Sequence, residues 1–98
     1  MKLIKQNIEG CFKIKNNIFD DERGSFFECM NQSILKQLSI TNIDQVNISK
    51  SNEGVFRGFH YQVNEKLTQF VTCIKGEVID FAVDLRRKSP TFRNIVRA

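Results

Sequence analysis

The chain has 98 residues, a formal charge of +4 and a pI near 9.2. This length suits one small domain, and 41% apolar with 27% charged residues excludes a disordered chain. The positive balance is mild, and its densest run, "LRRKS" at residues 85–89, is too sparse for a nucleic-acid surface and better suited to a small anionic ligand.

The first part of the chain predicts strands, a turn and one helix. "CFKIKN" alternates apolar and basic residues, as a half-buried strand does. "FDDERGS" is a turn cluster in which Gly24 gives freedom in φ, and "SFFECM" continues as a strand. Residues 31–38 predict the only helix, with Asn31 as N-cap and apolar residues at helical spacing, namely Ile34, Leu35 and Leu38.

The second part predicts further short strands. In "DQVNISKS" the residues alternate, with Val46 and Ile48 on one face and a polar row on the other, namely Gln45, Asn47, Ser49 and Ser51. After a turn at "NEG", "VFRGFHYQV" predicts a strand interrupted by Gly58, and "NEKL" predicts a turn. "QFVTCI" and "EVIDFAVDL" predict a tight hairpin across Lys75 and Gly76. "SPTFRNIVRA" resembles the start of another strand.

This pattern favours an all-β sandwich or barrel with one short helix. About four to six strands do not close a barrel of the usual eight or so, and an open sheet leaves edges that pair with other chains. We therefore expect residues 1–98 to form a single incomplete domain. In isolation it should associate, swap strands or be poorly ordered.

The N-terminus and the cysteines indicate a cytoplasmic protein. "MKLIKQNIEG" has no apolar run of signal-peptide length, and no later stretch is long enough to span a bilayer. Three widely spaced cysteines without a CxxC pair predict buried, reduced thiols, at Cys11, Cys29 and Cys73. One histidine with scattered carboxylates is too small a ligand set for a metal, and no phosphate-binding or serine-nucleophile motif occurs.

Two readings of "VFRGFHYQ", residues 55–62, remain open from the residues alone. Strict alternation places Arg57 and the single histidine, His60, on opposite strand faces, whereas a bulge at Gly58 would turn both towards one pocket. In the simpler reading Arg57 is a surface charge and His60 a hydrogen-bonded core histidine. The row of Gln45, Asn47 and Ser49 is then a solvated face.

Three segments in order resemble one enzyme family. They are "FDDERGSFFE" (residues 19–28), "QVNISKSNEGVFRGFHYQ" (residues 45–62) and "KGEVIDFAVDLRRKSPTF" (residues 75–92). Together they are similar to the dTDP-4-dehydrorhamnose 3,5-epimerases, metal-free cupin-fold enzymes of dTDP-L-rhamnose synthesis. The resemblance covers nearly all of the chain. It implies the N-terminal half of a cupin or jelly-roll barrel that needs no cofactor and acts on a dTDP-4-keto-6-deoxy sugar.

The resemblance also implies roles for individual residues. His60 matches the family's catalytic base, which removes the protons at carbons 3 and 5 beside the 4-keto group. A neutral imidazole with an ordinary pKa of about 6.5 suits that role. Arg57 matches the arginine that meets the diphosphate, and Gln45 and Asn47 match polar residues of the same pocket. Three further positions hold the nucleotide in the family, whose dimer brings some of them from the partner chain, namely Arg23, Phe26 and Glu28.

Two departures from the family pattern bear on activity. The family's lysine near the substrate's keto oxygen falls at Gln69 here, which donates a hydrogen bond but no charge; Lys66 lies three residues earlier. The family's domain also continues with a "GFAHGF"-like strand, an acid tyrosine and an aspartate that orients the base. The single tyrosine here, Tyr61, neighbours His60 in the predicted strand and points the other way.

Three functional hypotheses follow. The first is an epimerase-like protein that works only when the other half of the domain is supplied, for instance by a second polypeptide. The second is a non-catalytic remnant that binds a nucleotide sugar weakly or not at all. The third, an unrelated small β-domain that binds protein or nucleic acid, fits the ordered motifs poorly.

Overall fold

The computed structural model describes residues 1–64 and 66–98, and its regular structure lies towards the two ends of the chain. The elements in chain order are β1 (Lys2–Lys5), β2 (Phe12–Lys15), β3 (Ile18–Asp21), β4 (Gly24–Phe27), α1 (Gln32–Gln37), β5 (Phe81–Val83) and β6 (Ile95–Arg97). The strands pair antiparallel as β1 with β2, β3 with β4 and β5 with β6. The described residues are therefore mostly β-structure with one short helix, arranged as three small sheets without a closed barrel.

Strand β2 follows the predicted alternation, and it pairs with β1, a strand that was not predicted from the sequence. Leu3 lies opposite Ile14, and both are half-buried, whereas Lys2 lies opposite Lys15 on the exposed face. The predicted strand at "CFKIKN" is confirmed. Because β-strand side chains alternate between faces, the lysines of this strand remain in water while Ile14 is partly covered.

The hairpin of β3 and β4 confirms the turn predicted at "FDDERGS", although the turn is shorter than expected. Asp21 lies opposite Gly24, so only Glu22 and Arg23 connect the strands. The Asp21 carboxylate accepts a hydrogen bond from the Arg23 backbone N–H at 2.8 Å. Gly24 has a φ of +130°, a value that residues with side chains rarely adopt.

Helix α1 forms where the sequence predicts it, with the predicted cap. Asn31 has extended backbone angles, and its side-chain oxygen accepts a hydrogen bond from the Ile34 N–H at 3.1 Å. This bond satisfies one of the donors left free at a helix start. Ile34 is buried at 2% exposure, and Leu35 and Leu38 are half-buried on the same side. A helix of six residues is too short to be stable without such packing.

Several predicted strands are absent from the central part of the chain. The described residues of segments 44–51, 55–63 and 69–74 contain no strand, and the hairpin predicted across Lys75 and Gly76 does not form. Of "EVIDFAVDL" only Phe81–Val83 is a strand, and it pairs with Ile95–Arg97. These predictions were wrong because alternation shows which side chains share a face, whereas a strand also requires a neighbouring backbone to pair with.

The structure confirms the predictions of one turn and of the last strand. The turn at "NEG" is confirmed, with the Val55 N–H donating to the Asn52 carbonyl at 3.4 Å. The strand predicted within "SPTFRNIVRA" is confirmed as β6. The predicted turn at "NEKL" includes Glu65 and lies in part outside the described residues.

A polar cluster ties the two ends of the chain together. It consists of Asp84, Arg86, Ser89 and Thr91, and we call it the Asp84 cluster. Asp84 is buried, and its carboxylate accepts hydrogen bonds from Arg86 Nε at 2.8 Å, Ser89 Oγ at 2.5 Å and Thr91 Oγ1 at 2.7 Å. The Arg86 guanidinium also donates to the Glu9 carbonyl at 2.7 Å, and the Glu9 N–H donates to Thr91 Oγ1 at 2.9 Å.

The apolar core is small. Among the described residues only Ile8, Ile34 and Val96 are buried hydrophobic side chains. The radius of gyration is 15.2 Å, whereas a compact domain of this length has about 13 Å. The structure is therefore open. This agrees with the described residues of 41–64 and 66–79, which we call the central segment and whose backbone is largely unpaired. Within the described part of the chain, no helix has the length and apolar character needed to cross a membrane.

Candidate functional site

The central part of the chain curves around a wide, open concave surface, which we call the central concavity. It is lined by residues 39–57, 59–60 and 66–81 together with part of α1 and the residues before it, and its volume is about 1870 Å³. Five of the residues proposed from the sequence line it, namely Gln45, Asn47, Arg57, His60 and Gln69. The fold therefore brings Arg57 and His60 to one surface although no regular strand carries them.

Gln45 and Asn47 interact with each other. The Gln45 side-chain amide donates a hydrogen bond to Asn47 Oδ1 at 3.0 Å, and both residues are exposed. The two side chains therefore lie on the same side of the chain, as the alternation predicted from the sequence requires. An amide pair of this kind still presents an unused donor and an unused acceptor to a ligand.

Arg57 is held by the segment that precedes it. Its Nε donates to Ser51 Oγ at 2.8 Å, and a terminal nitrogen donates to the Lys50 carbonyl at 3.3 Å. These bonds use two of the five guanidinium N–H donors. The remaining donors keep the fork geometry that suits phosphate oxygens. Ser51, which orients Arg57, was not predicted as a site residue, and its only signal in the sequence is its place in the polar row.

His60 lies exposed on the central concavity, and no hydrogen bond to it occurs among the residues that the structure describes. Its imidazole therefore meets no described acid or amide that would fix one tautomer. Gln69 is likewise exposed on this surface. Between Arg57 and His60, Gly58 has a φ of +136°, so the chain turns there in a way that a larger residue would resist.

Arg23 and Phe26 line a second depression, on the hairpin of β3 and β4. It measures about 540 Å³ and shares no lining residue with the central concavity. Phe26 lies opposite Phe19 across the hairpin, and the two rings are 66% and 61% exposed. Arg23 forms an exposed ion pair with Asp21 at 2.6 Å, and this hydrogen-bonded pairing lowers the pKa of Asp21 and raises the pKa of Arg23. The exposed pair adds little stability.

Glu28 lines neither depression. Its carboxylate accepts a hydrogen bond from the Asn31 side-chain amide at 3.1 Å, just before α1. Of the eight residues proposed from the sequence, the fold thus gathers five on the central concavity and two on the hairpin, and leaves Glu28 apart. The three nucleotide-contacting positions, Arg23, Phe26 and Glu28, are the ones separated from the rest.

The charges of the central concavity are balanced. Its lining carries four basic residues (Lys50, Arg57, Lys66 and Lys75) and four acidic residues (Asp44, Glu53, Glu77 and Asp80). A diphosphate is therefore not attracted by an overall positive field, and its binding depends on direct donors such as Arg57.

The most perturbed carboxylate lies outside both depressions. Hydrogen bonds from Arg86, then from Ser89 and Thr91, hold the pKa of Asp84 well below its usual range against the opposing effect of burial. The same contact raises the pKa of Arg86. From the sequence, "LRRKS" was interpreted only as a basic run. The preceding aspartate and the following serine and threonine are typical of a hydrogen-bonded turn and were the available signal.

All three cysteines are free, but they are not all buried. Cys11 and Cys29 are half-buried, whereas Cys73 is exposed, contrary to the expectation. Burial, with a smaller effect from Asp80, raises the pKa of Cys11, so this thiol stays protonated. Within residues 1–64 and 66–98, no group of three or more histidine, cysteine or acidic side chains is placed to hold a metal ion.

The described chain is thus a β-rich protein with one wide, open surface that both polar and apolar residues line. The sequence profile described as dTDP-4-dehydrorhamnose 3,5-epimerase matches residues 5–98. The chain belongs to this family.

Curated relatives support the same assignment. The dTDP-4-dehydrorhamnose 3,5-epimerase of Shigella flexneri is 41% identical over 95 residues, and that of Salmonella typhimurium is 43% identical over 96 residues; each match covers 94% of this chain and 52% of the relative. The enzyme of the same name from Methanothermobacter thermautotrophicus is 37% identical over 92 residues, covering 93% of this chain and 50% of the relative. No solved structure matches the chain.

The chain spans about half the length of these curated relatives, consistent with an N-terminal half. The match over nearly the whole chain fixes the family. The activity, substrate and partners of the complete proteins are a separate matter and are considered next.

Proposed function

We propose that this chain supplies the base-carrying half of a dTDP-4-dehydrorhamnose 3,5-epimerase site in a jelly-roll barrel of the cupin type. In this proposal His60 removes the proton at carbon 3 or carbon 5 of a dTDP-4-keto-6-deoxy sugar. Among residues 1–98 we assign no group that returns a proton from the opposite face, so in this proposal these residues alone do not complete the epimerisation.

The observation that carries the proposal is the common lining of the central concavity. Arg57, His60 and Gln69 lie on one surface in a chain of this family, beside the Gln45–Asn47 pair. This combination offers a base, an anion-binding fork and amide donors to one ligand. The relatives are named 3,5-epimerases of dTDP-4-dehydrorhamnose, so their reacting centres are carbons 3 and 5 of a 4-keto sugar. Both centres lie beside a carbonyl, so a proton removed there leaves an enolate.

The chemistry of each residue follows from its type. A neutral imidazole accepts a proton near neutral pH and returns it without a large change in free energy. The enolate oxygen needs a donor, and Gln69 provides an N–H without a positive charge, which stabilises an oxyanion less than an ammonium group does. Arg57 would hold the diphosphate through the guanidinium donors that Ser51 and Lys50 leave free.

The second depression extends the proposal to the nucleotide. Phe26 and Phe19 present exposed aromatic faces on which a pyrimidine base would stack, and Arg23 lies at the same hairpin. Because this depression shares no residue with the central concavity, we place the hairpin's contribution in the site of a second copy within a dimer. Arg23 would exchange its bond to Asp21 for a phosphate.

A second candidate is a nucleotide-sugar-binding protein without catalysis. The observation that favours it is Gln69, because replacing a charged donor at an enolate oxygen lowers the rate far more than it lowers binding. The two candidates predict the same ligand and differ only in proton exchange.

Proton exchange into the substrate separates these candidates. The chain is incubated in D2O with dTDP-4-keto-6-deoxyglucose, alone and together with the C-terminal half of the Salmonella typhimurium relative, and deuterium at carbons 3 and 5 is followed by NMR. We expect incorporation only when both halves are present. His60→Gln, which keeps hydrogen-bonding groups but removes the base, should abolish the incorporation, while Lys13→Gln, at an exposed position on β2 outside both depressions, should leave it unchanged. Binding without incorporation would refute the catalytic proposal and favour the second candidate.

A further inference from the structure

The contacts of Arg57 differ from those of Arg23 and Arg86, two other arginines whose side chains are held by hydrogen bonds. Arg23 donates to the carboxylate of Asp21, and Arg86 donates to that of Asp84. Arg57 donates only to neutral acceptors, and no carboxylate of the described residues lies within ion-pair distance of it. Its side chain is therefore held while its positive charge is left for an anionic ligand.

The two acceptors lie along one edge of the Arg57 guanidinium group. Nε donates to the Ser51 hydroxyl oxygen at 2.8 Å, and Nη2, the terminal nitrogen on the same side as the Nε proton, donates to the Lys50 carbonyl at 3.3 Å. Because the group is planar and its five donors have fixed directions, both bonds use the side edge. The end edge, formed by Nη1 and Nη2, keeps two parallel N–H donors for a ligand.

The chemistry of Ser51 suits this position. A hydroxyl oxygen accepts from Nε without a negative charge, whereas a carboxylate there would form an ion pair with Arg57 and compete with an anionic ligand. Ser51 and Arg57 are both exposed, so these hydrogen bonds, and not burial, fix the guanidinium. An arginine that is fixed in the free protein loses less rotamer entropy when a ligand binds.

We propose that Ser51 is a positioning residue, which presents the end edge of Arg57 to two oxygens of a diphosphate. The proposal rests on the proposed function only in taking a nucleoside diphosphate as the ligand. It adds the edge of the guanidinium that meets the phosphate oxygens and the residue that selects this edge. Ser51 itself does not touch the ligand, so its whole contribution to binding passes through Arg57.

Calorimetric titration with dTDP tests this role in the native chain and in variants. Ser51→Ala removes the acceptor, and we expect it to weaken binding roughly fivefold because Arg57 is no longer fixed. Arg57→Gln removes the charged fork and should weaken binding more than about tenfold. Ser51→Thr keeps the hydroxyl group and should bind like the native chain. Ser33→Ala is the matched control, because it removes an exposed hydroxyl group on α1 outside both depressions.

The double variant shows whether Ser51 acts through Arg57. If it does, Ser51→Ala has no further effect on the affinity for dTDP once Arg57 is replaced by glutamine. The same loss of affinity in both backgrounds would overturn the proposal. A lower melting temperature for Ser51→Ala with an unchanged affinity would also overturn it, because the bond would then serve only the local fold.

NMR of the arginine side chains tests the edge. Inorganic pyrophosphate should shift the Nη signals of Arg57 and leave its Nε signal nearly unchanged, since Nε stays bonded to Ser51. A large shift of the Nε signal would show that the ligand displaces Ser51, contrary to the proposal.

The positioning role and the proposed function can fail separately. If Ser51→Ala weakens binding as expected but substrate protons never exchange in D2O, the positioning role stands and the catalytic proposal fails. If the native chain binds neither dTDP nor pyrophosphate, the positioning role is refuted, and proton exchange decides the catalytic proposal by itself.

Discussion

The Asp84 cluster predicts a large effect for a small change, Thr91→Val. Valine has nearly the shape of threonine but lacks the hydroxyl group that donates to Asp84 at 2.7 Å and accepts from the Glu9 N–H at 2.9 Å. A hydroxyl group has one proton, and in Thr91 this proton is committed to the carboxylate. The substitution therefore removes a hydrogen bond to a charged acceptor and one from the backbone of a distant turn.

The magnitude follows from the two bonds. A hydrogen bond to a charged group contributes about 1.5–3 kcal/mol and a neutral one about 0.5–1.5 kcal/mol. The Glu9 amide is exposed and regains water when Thr91 is changed, so its share is small. We expect a loss of about 2 kcal/mol in the free energy of unfolding, since Ser89 and Arg86 still hold the carboxylate. For a chain of this size that loss lowers the melting temperature by roughly 10 °C.

The assay is thermal unfolding followed by circular dichroism, with amide exchange at Glu9 as a local readout. Thr41→Val is the matched control, because the Thr41 hydroxyl donates only to its neighbour Asn42 in an exposed segment. We expect the control to change stability by less than about 0.5 kcal/mol. If Thr91→Val and Thr41→Val have equal effects, the Asp84 cluster does not hold the ends of the chain together.

Two further predictions concern charge and capping. Because its partners lower the folded-state pKa of Asp84, the stability it contributes is present above about pH 4 and declines as the pH falls below that value, where the unfolded chain binds a proton first. The melting temperature of the native chain should therefore fall more steeply than that of Asp84→Asn between about pH 5 and pH 2, and parallel curves would contradict this account. Asn31→Ala removes the side-chain cap of α1 and should cost about 1 kcal/mol in thermal unfolding, whereas Asn31→Ser, whose hydroxyl oxygen can accept the same bond from the Ile34 N–H, should retain most of the stability.

The sequence predicted the local elements better than the long-range ones. The cap and the apolar side of α1 depend on residues within one turn, and the hairpin turn at Glu22 and Arg23 depends on its own sequence. By contrast, β5 pairs with β6 instead of with the expected strand before Gly76. Alternation specifies which face of a strand is covered but not which strand pairs with it. The pattern of the central segment therefore predicts strands, although its described backbone is largely unpaired.

The candidate site was likewise predicted in its local parts but not in its long-range contacts. Family resemblance indicated which residue types belong together, and five of them lie on one concave surface. It did not indicate that Ser51 orients Arg57, because that bond spans six residues of irregular backbone. Nor did it indicate the Asp84 cluster, whose bonds to the Glu9 region join residues 77 and 82 positions apart.

These long-range bonds also make the chain a closed loop. Fixing residues 82 positions apart costs about 4 kcal/mol of chain entropy, and this cost is already included in the stability of the folded chain. The central segment is consequently tethered at both ends, and its ends cannot diffuse apart as those of a free peptide would. The segment therefore samples fewer conformations than a free peptide of the same length, even where its backbone is unpaired.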